Sequence, residues 1–284
     1  RLLNTLFFLD VNKPSASNYD RAHFSCHKEW TLVKILLDND AYSSAMGLAR
    51  SILTTALKFR ISEIIVSCSR ILREDAALTG SNKDFEYYDD LIKNHSLILS
   101  AEMRSEELYQ RVVMDYYQPI HKDNDLVERI DTYSTMLLSL SEAHDSPLIF
   151  YNMFLVWAMR YEMNREYDAL LEVCERAENY IIDHPQFYQE ERLIEFYTKK
   201  MSAYLHLGNY TKGQINAEKC LKKFPEGSKP WFTFMEYYLL LALHTDHHIQ
   251  ALAIYNQTVA NKKFVKQDAN MRERWRLFEA VIYF

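Results

Sequence analysis

Apolar side chains recur at intervals of three and four residues along most of this chain, and the pattern is interrupted at nearly regular distances. Between about Ile194 and Gly227, Tyr197, Met201 and Tyr204 fall on one helical face and Leu207-Gly208-Asn209-Tyr210 reads as a tight turn. Gly213, Ala217, Cys220 and Leu221 then continue on a second helix that stops at Phe224-Pro225. Similar pairs run from Tyr151 to Pro185 (Phe154, Trp157, Ala158 and Tyr161, then Leu170, Cys174 and Ala177 after Tyr167) and from Phe232 to Lys263 (Met235, Tyr238, Leu239 and Ala242, then Ala251, Tyr255 and Val259). Near the start, Leu32, Val33 and Leu36 lead through Asp38-Asn39-Asp40-Ala41-Tyr42 to Ala45, Ala49, Ile52 and Leu53. Pro147, Pro185 and Pro225 lie 38 and 40 residues apart. Proline is tolerated at helix boundaries and breaks helix interiors, so this spacing marks off units of two helices each.

One stretch departs from that rhythm. From Asn82 to Gln118 neither Gly nor Pro occurs, while Phe85, Tyr88, Ile92, Leu99, Tyr109, Val113 and Tyr116 keep a roughly helical face. One unusually long helix near residues 82–118 is predicted, about 50 Å long at 1.5 Å per residue. It either packs along the following pair or forms a coiled-coil-like arm through which the chain would make a homodimer.

The unit from Ile194 to Gly227 resembles the tetratricopeptide repeat: Gly208, Tyr210, Gly213, Ala217, Cys220 and Pro225 occupy the places where that family carries its turn Gly and Tyr, its small residues on the second helix and its closing Pro. The other units depart from the family pattern at several positions, and their interval is nearer 40 than 34. The resemblance implies an all-α, TPR-like right-handed solenoid of antiparallel helix hairpins, with residues 1–284 as a single domain. In such a fold the first helix of each pair builds the concave face. Carried onto this chain, that geometry nominates a partner-binding groove of Asn152, Leu155 and Met159, then Glu195, Thr198 and Ser202, then Thr233, Glu236 and Leu240. Family members that grip a peptide's terminal carboxylate use Lys, Asn and Arg at these places, and only Asn152 matches in type. The nominated set suits a neutral or basic peptide, or a partner helix; the other reading is a solvated inner face.

Composition narrows the classes. Only 5 of 284 residues are Gly, too few for a sheet protein's turns or for phosphate-cradling loops, while 48% are hydrophobic and mean hydropathy is −0.31. A net charge of −6 and a pI near 6.0 give no attraction to a phosphate backbone, so no nucleic acid is expected to bind this segment. No run of about 20 uncharged apolar residues is present, so no membrane span is expected. The chain opens on Arg1-Leu2-Leu3 and closes on Val281-Ile282-Tyr283-Phe284, apolar ends that suggest a fragment of a longer protein. Cys26, Cys68, Cys174 and Cys220 each sit in an apolar helical pattern, as buried thiols of a reducing, cytoplasmic compartment would.

Two clusters could carry chemistry. His23-x-x-Cys26-His27 places three potential metal ligands on one helix face, and His244, His247 and His248 crowd a turn. Neither has an evident fourth ligand or a known catalytic spacing, and no nucleophile elbow, phosphate loop or Cys-x-x-Cys pair occurs. The expectation is a non-enzymatic protein-protein interaction scaffold or adaptor, with no cofactor and no metal, whose partner is a protein or peptide. The alternatives are a metal-dependent enzyme using a His/Cys cluster, or a peptide or small-molecule sensor within a signalling or transcriptional regulator.

Overall fold

A computed structural model describes residues 17–117, 125–245 and 247–283. The described residues form helices and turns with no strand. The helices are α1 (Asn18–Asp38), α2 (Tyr42–Phe59), α3 (Ser62–Thr79), α4 (Asn82–Tyr117), α5 (Asp125–Ala143), α6 (Pro147–Met163), α7 (Tyr167–Asp183), α8 (Glu190–His206), α9 (Tyr210–Cys220), α10 (Lys229–His244), α11 (His248–Val259) and α12 (Ala269–Tyr283). The long helix is described over 36 residues, Asn82–Tyr117. Gln118, the predicted last residue, lies outside the described residues.

Local chemistry sets the boundaries. Ser17 and Asp20 form a reciprocal cap at the start of α1, the Ser17 Oγ accepting from the Asp20 N–H at 3.0 Å and the Asp20 carboxylate accepting from the Ser17 N–H at 3.1 Å. Ser228 caps α10 through the Trp231 N–H, with Pro230 in the first turn where no intrahelical donor is needed. Pro147 opens α6 for the same reason.

Six of the connections among the described residues use one turn. In each, the N–H of the residue just before the new helix reaches back five residues: Ala41 to Leu36 O, Ile61 to Ala56 O, Ser81 to Ala76 O, Glu166 to Tyr161 O and Asn209 to Tyr204 O, all at 2.9 Å, and His247 to Ala242 O at 3.1 Å. In the first five this is the Schellman closure of a helix C-terminus, which requires a left-handed residue one position earlier. Asp40, Arg60, Gly80, Arg165 and Gly208 take that conformation, with φ between 53° and 71°. The next helix begins at once after each such turn.

By their internal packing the residues divide into two compact units. The first runs to Val156 and includes Tyr180–Gln189; the second comprises Trp157–Asn179 and Glu190 onward. In the first unit α1 packs on α2, α2 on α3, α3 on α4 and α4 on α5, and α1 also touches α3. Its core is rich in small side chains, with Ala45, Ala49 and Ala56 of α2 meeting Cys26 and Val33 of α1 and Ile64, Ile65, Cys68 and Leu72 of α3. In the second unit α8 packs on α9 and α10, α9 on α10, α10 on α11 and α11 on α12, around Phe196, Trp231, Phe232, Phe234 and Trp275. Gly213 lets α9 approach closely: a Cβ there would lie 2.8 Å from Leu241 Cδ2 and 2.9 Å from Tyr204 Cβ.

Within the second unit one contact repeats. Tyr167, first residue of α7, stacks on His206, last residue of α8, with ring centroids 4.4 Å apart and 9° between planes. Tyr210, first residue of α9, stacks on His244, last residue of α10, at 4.5 Å and 8°.

Candidate functional site

The nominated groove residues fall into three environments. Asn152, Leu155 and Met159 are buried, at 4%, 2% and 5% exposure, and Ser202 is buried at 3%. These four therefore do not present an open surface. The physical reason is visible in α6, Pro-Leu-Ile-Phe-Tyr-Asn-Met-Phe-Leu-Val-Trp-Ala-Met, which is apolar on every side and accordingly has no solvent face to spare. Asn152 donates from Nδ2 to Ser105 Oγ at 2.9 Å, and Ser202 hydrogen-bonds Tyr237. Glu195 is exposed and Thr198 half-buried, its hydroxyl turned back to Ile194 O. Thr233 and Leu240 are half-buried, and Glu236 is held by Arg274 through two bonds of 2.5 and 3.1 Å.

Asn152 belongs to a buried polar network of the first unit. Ser146 Oγ donates to Glu102 Oε1 at 2.6 Å, Ser62 adds a second bond to that carboxylate, and Ser105 Oγ donates to Glu102 O at 2.7 Å. Burial pushes the Glu102 carboxyl above its ordinary value, against the pull of those two hydroxyls. The network links α3, α4 and the start of α6 by groups that satisfy one another.

The second unit buries charge instead. Lys199 and Lys200, adjacent on α8, diverge to Glu162 on α6 at 2.6 Å and Glu178 on α7 at 3.0 Å. Burial opposes ionisation of Lys200, but the Glu178 carboxylate outweighs it and holds the ammonium pKa up, while for Glu178 itself burial dominates and raises the carboxyl. Cys174 lies within the influence of both pairs, yet burial lifts its thiol to about 12. Cys26, Cys68 and Cys220 are likewise raised, to about 11, 12 and 11, chiefly by burial. Thiols so placed are not nucleophiles at neutral pH.

The histidine clusters are drawn to separate partners. Cys26 is 2% exposed in the core, whereas the rings of His23 and His27 lie 4.5 Å apart at the helix surface and His23 also stacks on Tyr19. His244 stacks on Tyr210, and His247 Nδ1 meets Gln214 Oε1 at 3.0 Å. Among the described residues no group of three His, Cys, Asp or Glu side chains converges as a metal site.

Two clefts open within the first unit. One, of about 510 Å³, lies between α4 and α5 and is lined by Arg104, Leu108, Thr132, Thr135, Met136 and Leu140. The other, of about 520 Å³, lies across α1, α3 and the start of α4, lined by Trp30, Lys34, Arg70, Ile71, Arg73 and Phe85. Here two cations lean on aromatic faces: Lys34 Nζ is 5.4 Å from the Trp30 ring and the Arg73 guanidinium 5.9 Å from Phe85. Sequence reading missed this site because its residues stand on three helices and are spread over more than 50 positions of the chain; the one local signal is the Trp30/Lys34 spacing of four. No helix of the described residues is long and apolar enough to cross a membrane. No protein-family model and no curated protein sequence matches the chain.

Proposed function

We propose that this chain is a non-enzymatic, TPR-like α-solenoid scaffold in which helix pairs stack in register and hold a protein or peptide partner on the surface of their first helices. The repeated five-residue turn bond carries this reading. Six chain reversals built on the same backbone bond, together with the twice-repeated Tyr-on-His stack, are the signature of one supersecondary unit used again and again. In each unit a first helix touches the next first helix, α1 to α3 and α8 to α10, which gives the continuous strip that a partner segment would follow. Selection from a displayed peptide library tests the reading. Recovery of peptides that bind the folded chain one to one, and not the urea-unfolded chain, supports it; a selection that yields no such peptide, or a purified chain that carries stoichiometric metal and hydrolyses model esters or peptides, refutes it.

Self-association is a second reading, favoured by Met103 and Met114 exposed on α4 (63% and 59%) and by the mostly apolar cleft between α4 and α5. Sedimentation that shows only monomer at high concentration removes it.

A further inference from the structure

We propose that the cleft across α1, α3 and the start of α4 binds an extended acidic peptide segment, with carboxylate side chains paired to Lys34 and Arg70 and an apolar side chain laid between Trp30 and Phe85. The inference rests on the scaffold reading and adds the chemistry of the ligand. It concerns a surface apart from the nominated groove, and the opposite charge preference.

Three observations carry it. In a chain of net charge −6, the lining of this cleft sets three cations, Lys34, Arg70 and Arg73, against one carboxylate, Glu74. Lys34 and Arg70 are exposed and neither makes an ion pair with another described residue. Most other exposed arginines of the first unit are paired: Arg50 with Asp75, Arg60 with Asp145, Arg104 and Arg111 with Glu107.

The third observation separates a carboxylate ligand from a phosphate. A phosphate group is best held by guanidinium groups that converge and are free to bind with two donors each. Arg73 is not free: its Nη1 lies 2.5 Å from Asp89 Oδ1, and Asp89 is further fixed by Lys93 at 2.6 Å. What remains are two single cations on different helices, with Trp30, Ile71 and Phe85 supplying apolar surface between them. Side chains at every second position of an extended peptide share a face, so a Glu-x-Phe-x-Glu run with small residues at x turns two carboxylates and the apolar side chain between them toward such a surface. The cleft volume of about 520 Å³ suits two or three side chains.

The probe is a fluorescein-labelled, acetylated and amidated heptapeptide, Ser-Glu-Ser-Phe-Ser-Glu-Ser, so that no chain-terminal carboxylate contributes, compared with the same peptide carrying Lys for Glu. Anisotropy titration of the full chain is expected to show saturable one-to-one binding, about tenfold or more tighter for the acidic peptide, weakening several-fold between about 50 mM and about 300 mM salt. The double variant Lys34→Glu/Arg70→Glu is expected to lose about tenfold or more in affinity. Both residues are exposed, so its circular dichroism and melting midpoint should match the parent; the milder pair Lys34→Gln/Arg70→Gln should lose less. Lys262→Glu, exposed in the second unit, should leave binding unchanged.

Equal binding of the Lys peptide, full binding by both double variants, or displacement by equimolar tripolyphosphate would each overturn the proposal, the last by reassigning the cleft to a phosphate ligand. If the acidic peptide fails while library-selected peptides of other composition bind elsewhere, this inference falls and the scaffold reading stands. If no peptide binds at all, both fall.

Discussion

Two glycines offer the same substitution with opposite expected signs. Gly213 lies buried on α9, where an added Cβ would meet Leu241 Cδ2 at 2.8 Å, Tyr204 Cβ at 2.9 Å and Leu241 Cδ1 at 3.0 Å. Carbon atoms prefer about 3.5–4.0 Å, so Gly213→Ala forces a displacement of more than about half an ångström. Leu241 is fully buried and Tyr204 Cβ is fixed to the α8 backbone, so neither can move without shifting a helix. Such overpacking costs about 1–3 kcal/mol, against about 1 kcal/mol regained from replacing a helical glycine by alanine. Gly47, midway along α2, has nothing within 4 Å of the corresponding Cβ position, so Gly47→Ala keeps only the gain. Urea unfolding followed by circular dichroism should place Gly47→Ala about 1 kcal/mol above the parent and Gly213→Ala about 1 kcal/mol below it. A Gly213→Ala variant as stable as Gly47→Ala would refute the idea that a close helix approach at Gly213 organises the α8/α9/α10 packing.

Three further substitutions probe the turns and the buried polar groups. Gly208 sits at φ 69° with only the Tyr210 side chain near its Cβ position, so Gly208→Ala should cost about 1 kcal/mol of left-handed strain in the same assay, while Arg165→Gly at φ 60°, exposed, should lose nothing or gain a few tenths. Lys200→Met strands Glu178 in the interior and should cost about 3 kcal/mol, most of it recovered in Lys200→Met/Glu178→Leu; a single variant as stable as the parent contradicts the buried pair. Burial holds Glu102 protonated where the unfolded chain has already lost its proton, so its contribution to stability falls as pH rises from about 4.5 through the raised folded value. Glu102→Gln cannot ionise, so its stability relative to the parent should climb across that window and then level off; a declining difference in urea midpoints contradicts the raised carboxyl.

What the sequence revealed depended on whether a boundary carried a residue with a local signature. Gly208, Pro147 and the Gly- and Pro-free run from Asn82 mark the starts of α9, α6 and α4 almost to the residue, because φ above zero and the missing proline donor act without help from tertiary contacts, whereas α9 ends at Cys220, short of the predicted Phe224-Pro225, and passes into a 3-10 turn at Leu221–Lys223. The α2/α3 reversal has no such mark. Arg60 occupies the left-handed position there, stabilised by Arg60 donating to Asp145 O at 3.0 Å, a residue 85 positions away. The nominated groove met a similar limit, since the position of a helix within a repeat does not say which of its faces is covered. The uniformly apolar run of α6 did hold that information. The cleft at Trp30, Lys34, Arg70 and Phe85 could not be read from spacing, because packing of α1, α3 and α4 creates it.

Hydrogen exchange on the full chain, with and without the tightest peptide from the display selection, tests most directly whether stacked helix pairs form a surface that exists before its partner arrives. The account predicts slowed exchange confined to a few first helices and their adjoining turns, with the rest of the chain unchanged. Slowing spread through all twelve described helices, as in a chain that folds on its ligand, would contradict it, and so would no change anywhere.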